Sequence, residues 1–336
     1  MKISGLETNL KDEPAYRRKQ VYSAIFSNLI EDWEEATNLP AELRRRLADG
    51  FPLEIRAERF DSGDGQTVKA VIRLDEETSV ETVLMRHRGG RNTVCVSSQA
   101  GCALGCDFCL TARAGFRRNL TAMEIITQVL FFSRFLKKTD QRVGNVVFMG
   151  MGEPFLNIQQ VLDAVNILNH PDGLGIGARK ISISTVGIIP GIEELARFPL
   201  QVNLSFSLHA PDDALRERLM PVNRRYPLEP VFEALREYIE KTGRKVMIEY
   251  LLLGGVNDSA AAAEQVADLL VKKLDRLFIV NLIEYNAAGR YRKSSRADSR
   301  RFADILRRNK ISVTRRYRFG EDIKAACGQL AGGSDN

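Results

Sequence analysis

Strand and helix patterns alternate along the chain from about residue 93 onward. The strand candidates are short apolar runs bounded by turn residues, at 93–97, 145–149, 180–184, 202–207, 246–252, 278–282 and 312–316. Amphipathic helical patterns fit between them, at 121–136, 158–168, 191–197, 228–241, 259–273 and 297–308. Repeated strand–helix units favour a parallel sheet covered by helices. We therefore expect an α/β fold, curved into an open barrel, with its functional residues at the carboxyl ends of the strands.

The first 92 residues follow a different pattern. Residues 1–50 are predicted to be helical, with helix starts near Pro14 and Pro40. Residues 51–92 alternate as strands do, at 53–56, 68–72 and 81–84. The predicted organisation is a helical accessory domain (1–50), a β-rich extension (51–92), the main α/β domain (93–330) and a disordered tail (331–336).

Three cysteines follow the first strand of the main domain. Cys102, Cys106 and Cys109 form a C-x3-C-x2-C triplet. A four-iron cluster normally takes four cysteine thiolates, so three ligands leave one iron open to a small molecule. A zinc site would more usually show two C-x2-C pairs, and three unrelated buried thiols are the remaining alternative. The spacing is similar to that of radical S-adenosylmethionine (SAM) enzymes, whose open iron binds the amino acid end of SAM.

Positive charge is concentrated near the C-terminus. The whole chain carries a net charge of +6, whereas the segment 286–318 alone contains twelve Lys or Arg and two Asp. Tyr291 and Tyr317 lie within this segment. Phosphate backbones attract such patches, although a solvated helix face explains part of the run. RNA contact by this basic segment is therefore a hypothesis.

Several features of the sequence indicate where in the cell the protein is found. No run of about 18 apolar residues predicts a transmembrane helix, and the first residues lack the apolar core of a signal peptide. Five cysteines are an odd number, which does not suggest a disulfide framework. We expect a cytoplasmic protein with reduced thiols and no membrane contact.

Polar residues stand at the ends of the predicted strands. Gly152 allows close backbone approach, and Glu153 offers a carboxylate to an ammonium group. The other members of the set are Ser184, Ser207, His209 and Asn286. Each alone is explained as a loop polar residue, but together they predict a ring around one opening.

Two further cysteines lie outside the triplet. Cys95 is in a predicted strand, and Cys327 precedes Gly328 near the C-terminus. They are either two inert buried thiols or a nucleophilic thiolate with its resolving partner. The residues alone leave both possibilities open.

Several motifs in one order make the chain resemble the RlmN/Cfr family of radical SAM adenine methyltransferases, which act on 23S ribosomal RNA. The resemblance covers nearly the whole chain and rests on motifs at 13–20, 38–40, 81–83, 95–102, 148–154, 207–211, 219–223, 255–259 and 326–330. It implies a partial (β/α)6 radical SAM barrel that binds a [4Fe-4S] cluster through Cys102, Cys106 and Cys109. It also implies that Ser184, Ser207, Leu208, His209 and Asn286 contact SAM, together with Gly152 and Glu153.

The same resemblance implies a mechanism that consumes two SAM molecules per turnover. One SAM methylates Cys327, and a second yields a 5′-deoxyadenosyl radical that activates this methyl group for addition to an adenine carbon. Glu81 matches the family's proton acceptor, although a solvated strand carboxylate would explain it equally well without the resemblance. Cys95 then attacks Cys327, which releases the RNA and leaves a transient disulfide.

The position of methylation and the partners are also expectations from the resemblance. The segment 152–157 is similar to RlmN-like chains, which methylate adenine C2. The segment 184–190, and the spacing of Glu81 from Cys95, are closer to Cfr-like chains, which methylate C8 and confer antibiotic resistance. The expected partners are 23S rRNA, transfer RNA as a further substrate, and an electron donor such as flavodoxin or ferredoxin. The chain is expected to be monomeric.

Two other functions share part of this pattern. A radical SAM protein-activating enzyme would need the triplet, but it would need neither Cys95 and Cys327 as a reactive pair nor the basic segment. An iron–sulfur protein that only binds RNA would not consume SAM. Substitution of Cys327 separates these hypotheses.

Overall fold

The computed structural model describes residues 5–275, 277–286, 289–316 and 319–331. Its N-terminal segment holds three helices, α1 (Leu6–Asn9), α2 (Ala15–Phe26) and α3 (Ala41–Gly50). The two longer helices begin directly after Pro14 and Pro40, where the fixed φ of proline suits a helix start. The predicted helical segment is confirmed.

An antiparallel meander follows. Its strands are β1 (Ala57–Asp61), β2 (Thr67–Arg73), β3 (Ser79–Arg86) and β4 (Asn92–Val96), each paired with the next. The predicted strand at 53–56 is wrong, because the first strand begins at Ala57. Every residue of β1 is exposed, so the strand lacks the alternation of buried and exposed residues on which the prediction depended.

A short two-stranded sheet leads into the main domain. It consists of β5 (Gln99–Gly101) and β6 (Phe116–Asn119), with the single helical turn α4 (Leu110–Arg113) between them. The sequence did not predict these three elements. Each has four residues or fewer, which is too short for a helical or strand period to be recognised.

The remaining elements alternate as expected. The strands are β7 (Asn145–Phe148), β8 (Ile181–Thr185), β9 (Asn203–Ser207), β10 (Val246–Leu252), β11 (Phe278–Glu284) and β12 (Val313–Arg315). The helices are α5 (Ala122–Lys137), α6 (Ile158–Asn169), α7 (Ile189–Arg197), α8 (Asp213–Leu219), α9 (Leu228–Thr242), α10 (Ala260–Leu274) and α11 (Arg296–Arg308). Apart from α8, each lies within two residues of its predicted bounds.

One mixed sheet joins the meander to the main domain. Ten strands pair in the order β1-β2-β3-β4-β7-β8-β9-β10-β11-β12. The pairs from β4 to β12 are parallel, which gives six strand–helix units followed by the short strand β12. This confirms the expected α/β fold, a partial (β/α)6 barrel with a helical and β-rich N-terminal extension.

The predicted domain boundaries are less sharp than the composition suggested. β4 pairs with β3 on one side and β7 on the other, so the extension and the barrel share backbone hydrogen bonds. The division at residue 92 stays a prediction. The predicted disordered tail lies outside the described residues from 332 onward. Within the described ranges, no helix is both long enough and apolar enough to cross a bilayer.

A buried arginine joins the N-terminal helices to the barrel. Arg134 of α5 is 7% exposed. Its guanidinium donates hydrogen bonds to the carbonyl of Leu53 at 2.8 Å and to that of Ile30 at 2.5 Å. Burial lowers the pKa of Arg134, and its donors bind backbone acceptors of two different N-terminal segments. The contact orients the helical segment against the outer face of α5.

Removal of this guanidinium is expected to destabilise the fold. Arg134→Leu leaves two buried carbonyls without their donor, at a cost of about 3 kcal/mol in the free energy of unfolding. Urea denaturation followed by circular dichroism measures the change. Arg236→Leu is a suitable control because Arg236 of α9 is half exposed and lies 3.9 Å from Glu233, and its loss is expected to cost less than about 0.5 kcal/mol. Equal stabilities of the two variants would contradict the assigned role.

Candidate active site

The cysteine triplet lies in the loop between β5 and α4. The loop is fixed by backbone hydrogen bonds from Cys102 N to Gly115 O at 3.0 Å, and from Asp107 N to Leu219 O at 3.0 Å. Gly101, at its start, has φ +75°, and a Cβ there would lie 1.7 Å from Gly115 O. Only glycine fits this close backbone approach. The loop therefore presents its cysteines in one defined conformation.

A cavity of about 180 Å³ lies beside this loop, at the carboxyl ends of the strands. Nine of the thirteen predicted site residues line it: Cys102, Cys106, Cys109, Gly152, Glu153, Ser184, Ser207, His209 and Cys327. The remaining four, Glu81, Cys95, Leu208 and Asn286, do not line this cavity. The sequence-based expectation of a single opening ringed by polar groups matches this arrangement.

The donor set of the triplet fits a multinuclear cluster. Among the described residues, no three His, Cys, Asp or Glu side chains are gathered closely enough to share one metal ion. A four-iron cluster has no such requirement, because each cysteine binds a different iron. Burial raises the pKa of Cys102 to about 11 and that of Cys106 well above its ordinary value, and the charge of Cys109 adds to both shifts. Bound iron would reverse these shifts, because metal ligation deprotonates a thiol.

Glu153 presents a carboxylate to the cavity from the turn after β7. The carboxylate accepts hydrogen bonds from Phe155 N at 3.1 Å and from Val186 N at 3.0 Å. Burial raises the pKa of Glu153 to about 7, although these hydrogen bonds oppose the shift. The preceding Gly152 has φ +93°, and a Cβ there would lie 2.5 Å from Gln99 Cβ. The site thus combines a backbone segment without a side chain at Gly152 with a carboxylate that can accept a hydrogen bond from a cationic group.

Two serines and a histidine follow the neighbouring strands. The hydroxyl oxygens of Ser184 and Ser207 lie 3.5 Å apart at the ends of β8 and β9. His209 has φ +57°, and its Nδ1 accepts a hydrogen bond from Leu251 N at 3.1 Å. Burial, assisted by the charge of Arg216, lowers the pKa of His209 to about 3. The imidazole is therefore neutral, and its position is set by the neighbouring strand.

Leu208 and Asn286 lie near the same strand ends but are buried. The backbone N–H of Leu208 donates to Glu249 O at 3.0 Å, and its side chain is fully buried. Asn286 follows β11 and is 5% exposed. Its Oδ1 has no hydrogen-bond partner among the described residues, which leaves an acceptor available to a ligand.

The other two cysteines lie close to each other. Cys95, at 8% exposure, is buried on β4, whereas Cys327 is exposed at the cavity wall. Burial raises the pKa of Cys95 to about 12, and the nearby charge of Cys327 acts in the same direction. Both are free thiols in this structure. A reactive pair formed by these two thiols stays a prediction.

Glu81 occupies a different position. It lies on β3 at 4% exposure, and its Oε2 is 3.7 Å from Lys69 Nζ on β2. The backbone carbonyl of Glu81 accepts a hydrogen bond from Ser97 Oγ at 2.6 Å. The backbone of Glu81 is thus bonded to the residue that follows β4, whereas its carboxylate pairs with Lys69 and does not line the cavity. Its catalytic role stays a prediction.

Known proteins resemble this chain along nearly its full length. The profile of the radical SAM superfamily matches residues 96–266. A "Probable dual-specificity RNA methyltransferase RlmN" of Geobacillus kaustophilus is 44% identical over 320 residues, which span 95% of this chain and 87% of that protein. A protein of the same description from Chloroflexus aurantiacus is 46% identical over 332 residues, with 95% and 88% covered. The chain belongs to the RlmN/Cfr family of radical SAM enzymes.

A solved structure shares the whole fold. The radical SAM methyltransferase from Sphaerobacter thermophilus superimposes with a TM-score of 0.93 at 44% sequence identity, covering 97% of this chain and 96% of that one. Membership of the radical SAM superfamily implies SAM and a [4Fe-4S] cluster as cofactors. The cysteine triplet and the surrounding cavity, described above, have the donors that these groups require.

Sequence reasoning about this RlmN/Cfr chain missed one buried cation. Arg216 of α8 is fully buried and donates to the carbonyls of Val186 at 2.6 Å, Ser207 at 3.1 Å and Leu208 at 3.2 Å. It also donates to Asn223 Oδ1 at 2.7 Å, and burial lowers its pKa to about 10. The residue joins the ends of β8 and β9 beneath the cavity. The one feature of the sequence that could have revealed Arg216 is the L-M-P-V-N motif at 219–223. Its last residue, Asn223, accepts the hydrogen bond from Arg216.

Two more polar residues of the cavity wall were missed as site residues. Glu249 lies on β10 at 2% exposure, and Arg316 follows β12. The guanidinium of Arg316 donates to Glu249 Oε1 at 3.1 Å. Arg316 was counted only as part of the basic segment, because charge alone does not reveal that a side chain points inward.

Proposed function

We propose that this radical SAM enzyme methylates C2 of an adenine in 23S ribosomal RNA and in transfer RNA, with Cys327 as the carrier of the methyl group. The observation that carries the proposal is the single cavity shared by the cysteine triplet, Glu153 and Cys327. The relatives' description as dual-specificity RNA methyltransferases supports an RNA substrate and the inclusion of two kinds of RNA.

Cys102, Cys106 and Cys109 would hold the [4Fe-4S] cluster, and Gly152 and Glu153 would hold the amino group of SAM. The hydroxyls of Ser184 and Ser207, the backbone near Leu208 and His209, and the unpartnered Oδ1 of Asn286 are the further proposed contacts to SAM. When bound and reduced, such a cluster would supply the electron for the reductive cleavage of SAM.

Cys327 is the methyl carrier and therefore reacts twice in each turnover. As a thiolate it attacks the methyl carbon of a first SAM, which displaces S-adenosylhomocysteine and leaves a methyl thioether on the enzyme. A second SAM is consumed when hydrogen is removed from this methyl group. An adenine ring carbon is a poor nucleophile, so attachment through an activated carbon on Cys327 avoids direct attack by the base on SAM.

Cys95 is proposed as the resolving residue and Glu81 as the proton acceptor. The charges of Cys95 and Cys327 interact, which supports Cys95 as the residue that attacks the sulfur of the RNA-linked Cys327. Glu81 lies on β3, the strand next to the one that carries Cys95, and a role in removing the proton from the adenine carbon requires substrate-dependent approach to the base.

The RNA is proposed to lie against α11 and the N-terminal helices. Exposed cations on and just after α11 are Arg296, Arg300, Arg301, Arg307, Arg308 and Lys310. Tyr317 and Arg318, which complete the basic segment, lie outside the described residues. These contacts would recognise phosphate and shape, and the target base must leave its stack to enter the cavity. A flavodoxin or ferredoxin is the proposed electron donor to a cytoplasmic, monomeric enzyme.

Mass spectrometry of nucleosides tests the proposal. The reconstituted protein is incubated anaerobically with SAM, a reductant and either 23S rRNA or transfer RNA that lacks the modification. 2-Methyladenosine is the expected product. 8-Methyladenosine would place the chain with the Cfr-like members, whose motifs it partly shares. SAM cleavage without either product would show that the substrate assignment is wrong.

The pH dependence of SAM binding tests the role of Glu153. Its pKa of about 7 means that the carboxylate gains negative charge as the pH rises through neutrality. Affinity for the SAM ammonium group is therefore expected to increase by about threefold to tenfold from pH 6 to pH 8. Calorimetric titration of wild-type enzyme and Glu153→Gln measures this. Glu153→Gln is expected to bind SAM more weakly than the wild type, with an affinity that does not change with pH. The same increase in affinity with pH in both proteins would contradict the role assigned to Glu153.

A further inference from the structure

Arg316 lies between the reactive cysteines and a buried carboxylate. Its backbone N–H donates to Leu282 O at 3.0 Å, which fixes the residue directly after β12. The guanidinium donates to Glu249 Oε1 at 3.1 Å and contacts Met149 Sδ at 2.9 Å. Arg316 and Cys327 line the same cavity, and the charge of the guanidinium interacts with both Cys327 and Cys95.

A polar row across three strands holds the far side of this guanidinium. Glu249 Oε1 also accepts a hydrogen bond from Asn281 Nδ2 at 3.0 Å. Asn281 in turn accepts from the hydroxyl of Thr314. Glu249, Asn281 and Thr314 are cross-strand neighbours on β10, β11 and β12, so the row is built into the register of the sheet. Arg316 is therefore held in place independently of the cysteines.

The cysteine that must act as a nucleophile is poorly placed to ionise on its own. Cys95 is buried, which raises its pKa to about 12. The side chains whose charges act on Cys95 are Cys327 and Arg316, and the guanidinium of Arg316 is itself paired with Glu249. On the neighbouring strands β3 and β2, Glu81 and Lys69 lie 3.7 Å apart as a pair. Arg316 is the cation that lowers the pKa of Cys95.

We propose that Arg316 is the positioning residue of the cysteine pair, holding Cys327 beside Cys95 and stabilising the negative charge that develops when Cys95 attacks. The inference rests on the proposed function, because it concerns the step that releases the methylated RNA. In that step the Cys95 thiolate forms a bond to the Cys327 sulfur, and the bond from this sulfur to the RNA-linked carbon breaks. The carbon takes the electron pair and then a proton, and a dithiol reductant later restores both thiols.

The step can be measured without RNA by using glutathione as the leaving group. Oxidised glutathione reacts with the exposed Cys327 thiolate, giving a mixed disulfide and one glutathione thiolate. Cys95 then attacks the Cys327 sulfur, forming the internal disulfide and releasing the second glutathione. Acid quenching and peptide mass spectrometry of the anaerobic, cluster-loaded enzyme follow the conversion of the mixed disulfide at several pH values.

Arg316→Gln is expected to slow this conversion about tenfold near pH 8 and to move its pH profile to higher pH, since one close positive charge is lost. Arg316→Lys is expected to restore the rate to within about threefold, because lysine retains the charge. Arg236→Gln, a matched substitution on the outer helix α9, is expected to leave the rate unchanged. Equal rates in wild type and Arg316→Gln, or a slowing that lysine does not reverse, would overturn the inference. Nucleoside analysis tests the methyltransferase proposal separately, since the glutathione assay reads only the cysteine pair.

Discussion

Cys327→Ala is expected to abolish RNA methylation, with a loss of at least about a thousandfold in product formation. Alanine offers no sulfur to accept the first methyl group, so no carrier exists for the carbon that is added to the base. Anaerobic incubation with SAM and unmodified RNA, followed by nucleoside mass spectrometry, measures the loss.

The control for this variant is its iron–sulfur content. Cys327 is outside the triplet, so Cys327→Ala is expected to keep its cluster absorbance, whereas Cys106→Ala is expected to lose it. The same experiment separates the alternative functions considered from the sequence. A radical SAM enzyme that activates another protein would still cleave SAM when Cys327 is replaced by alanine. In a protein that only binds RNA, the substitution would leave RNA binding unchanged. Retained methylation in Cys327→Ala would refute the proposed mechanism.

Cys95→Ala is expected to trap a covalent complex between the enzyme and its RNA. The methylene group can still be transferred from Cys327 to the adenine, but no neighbouring thiolate is present to break the bond from sulfur to carbon. A band of lower mobility that resists denaturation and collapses on ribonuclease treatment is the expected result. Peptide mass spectrometry should locate a modified adenosine on Cys327. If Cys95→Ala released free methylated RNA at the wild-type rate, another group would have to break the bond between Cys327 and the RNA.

The double variant Cys95→Ala/Cys327→Ala is the matched control for the trapped complex. It is expected to form no covalent complex, because the carrier sulfur is missing, while RNA binding through the basic surface is unchanged. A complex in the double variant would mean that the RNA is attached elsewhere on the protein.

Local pattern predicted most of the barrel. The strands and helices from 93 onward have buried faces with regular periods, and such periods are visible in a single sequence. β1 failed as a prediction because all of its residues are exposed. The triplet, Glu153 and Cys327 were recognisable because their chemistry is tied to short motifs.

The residues that organise the site were not predictable in the same way. The residue type alone does not distinguish Arg216 and Arg316 from surface arginines, yet Arg216 binds strand-end carbonyls and the charge of Arg316 interacts with two cysteines. Their side-chain hydrogen bonds span 7 to 167 positions of sequence separation. Long-range packing of this kind leaves no period or spacing to detect. For Glu81 the situation is reversed. A sequence motif identified it as a site residue, but in the structure it pairs with Lys69 and does not line the cavity.

In the proposed mechanism, the unequal exposure of Cys327 and Cys95 imposes an order on the last steps of the cycle. Cys327 is exposed and Cys95 is buried, so a reductant from solution reaches the disulfide only through the Cys327 sulfur. In the same mechanism, the RNA would occupy the approach to this sulfur while it is being methylated. Departure of the methylated RNA must therefore precede reduction of the enzyme, and the mixed disulfide with the reductant forms on Cys327. Slow RNA release would then limit regeneration even when reductant is abundant.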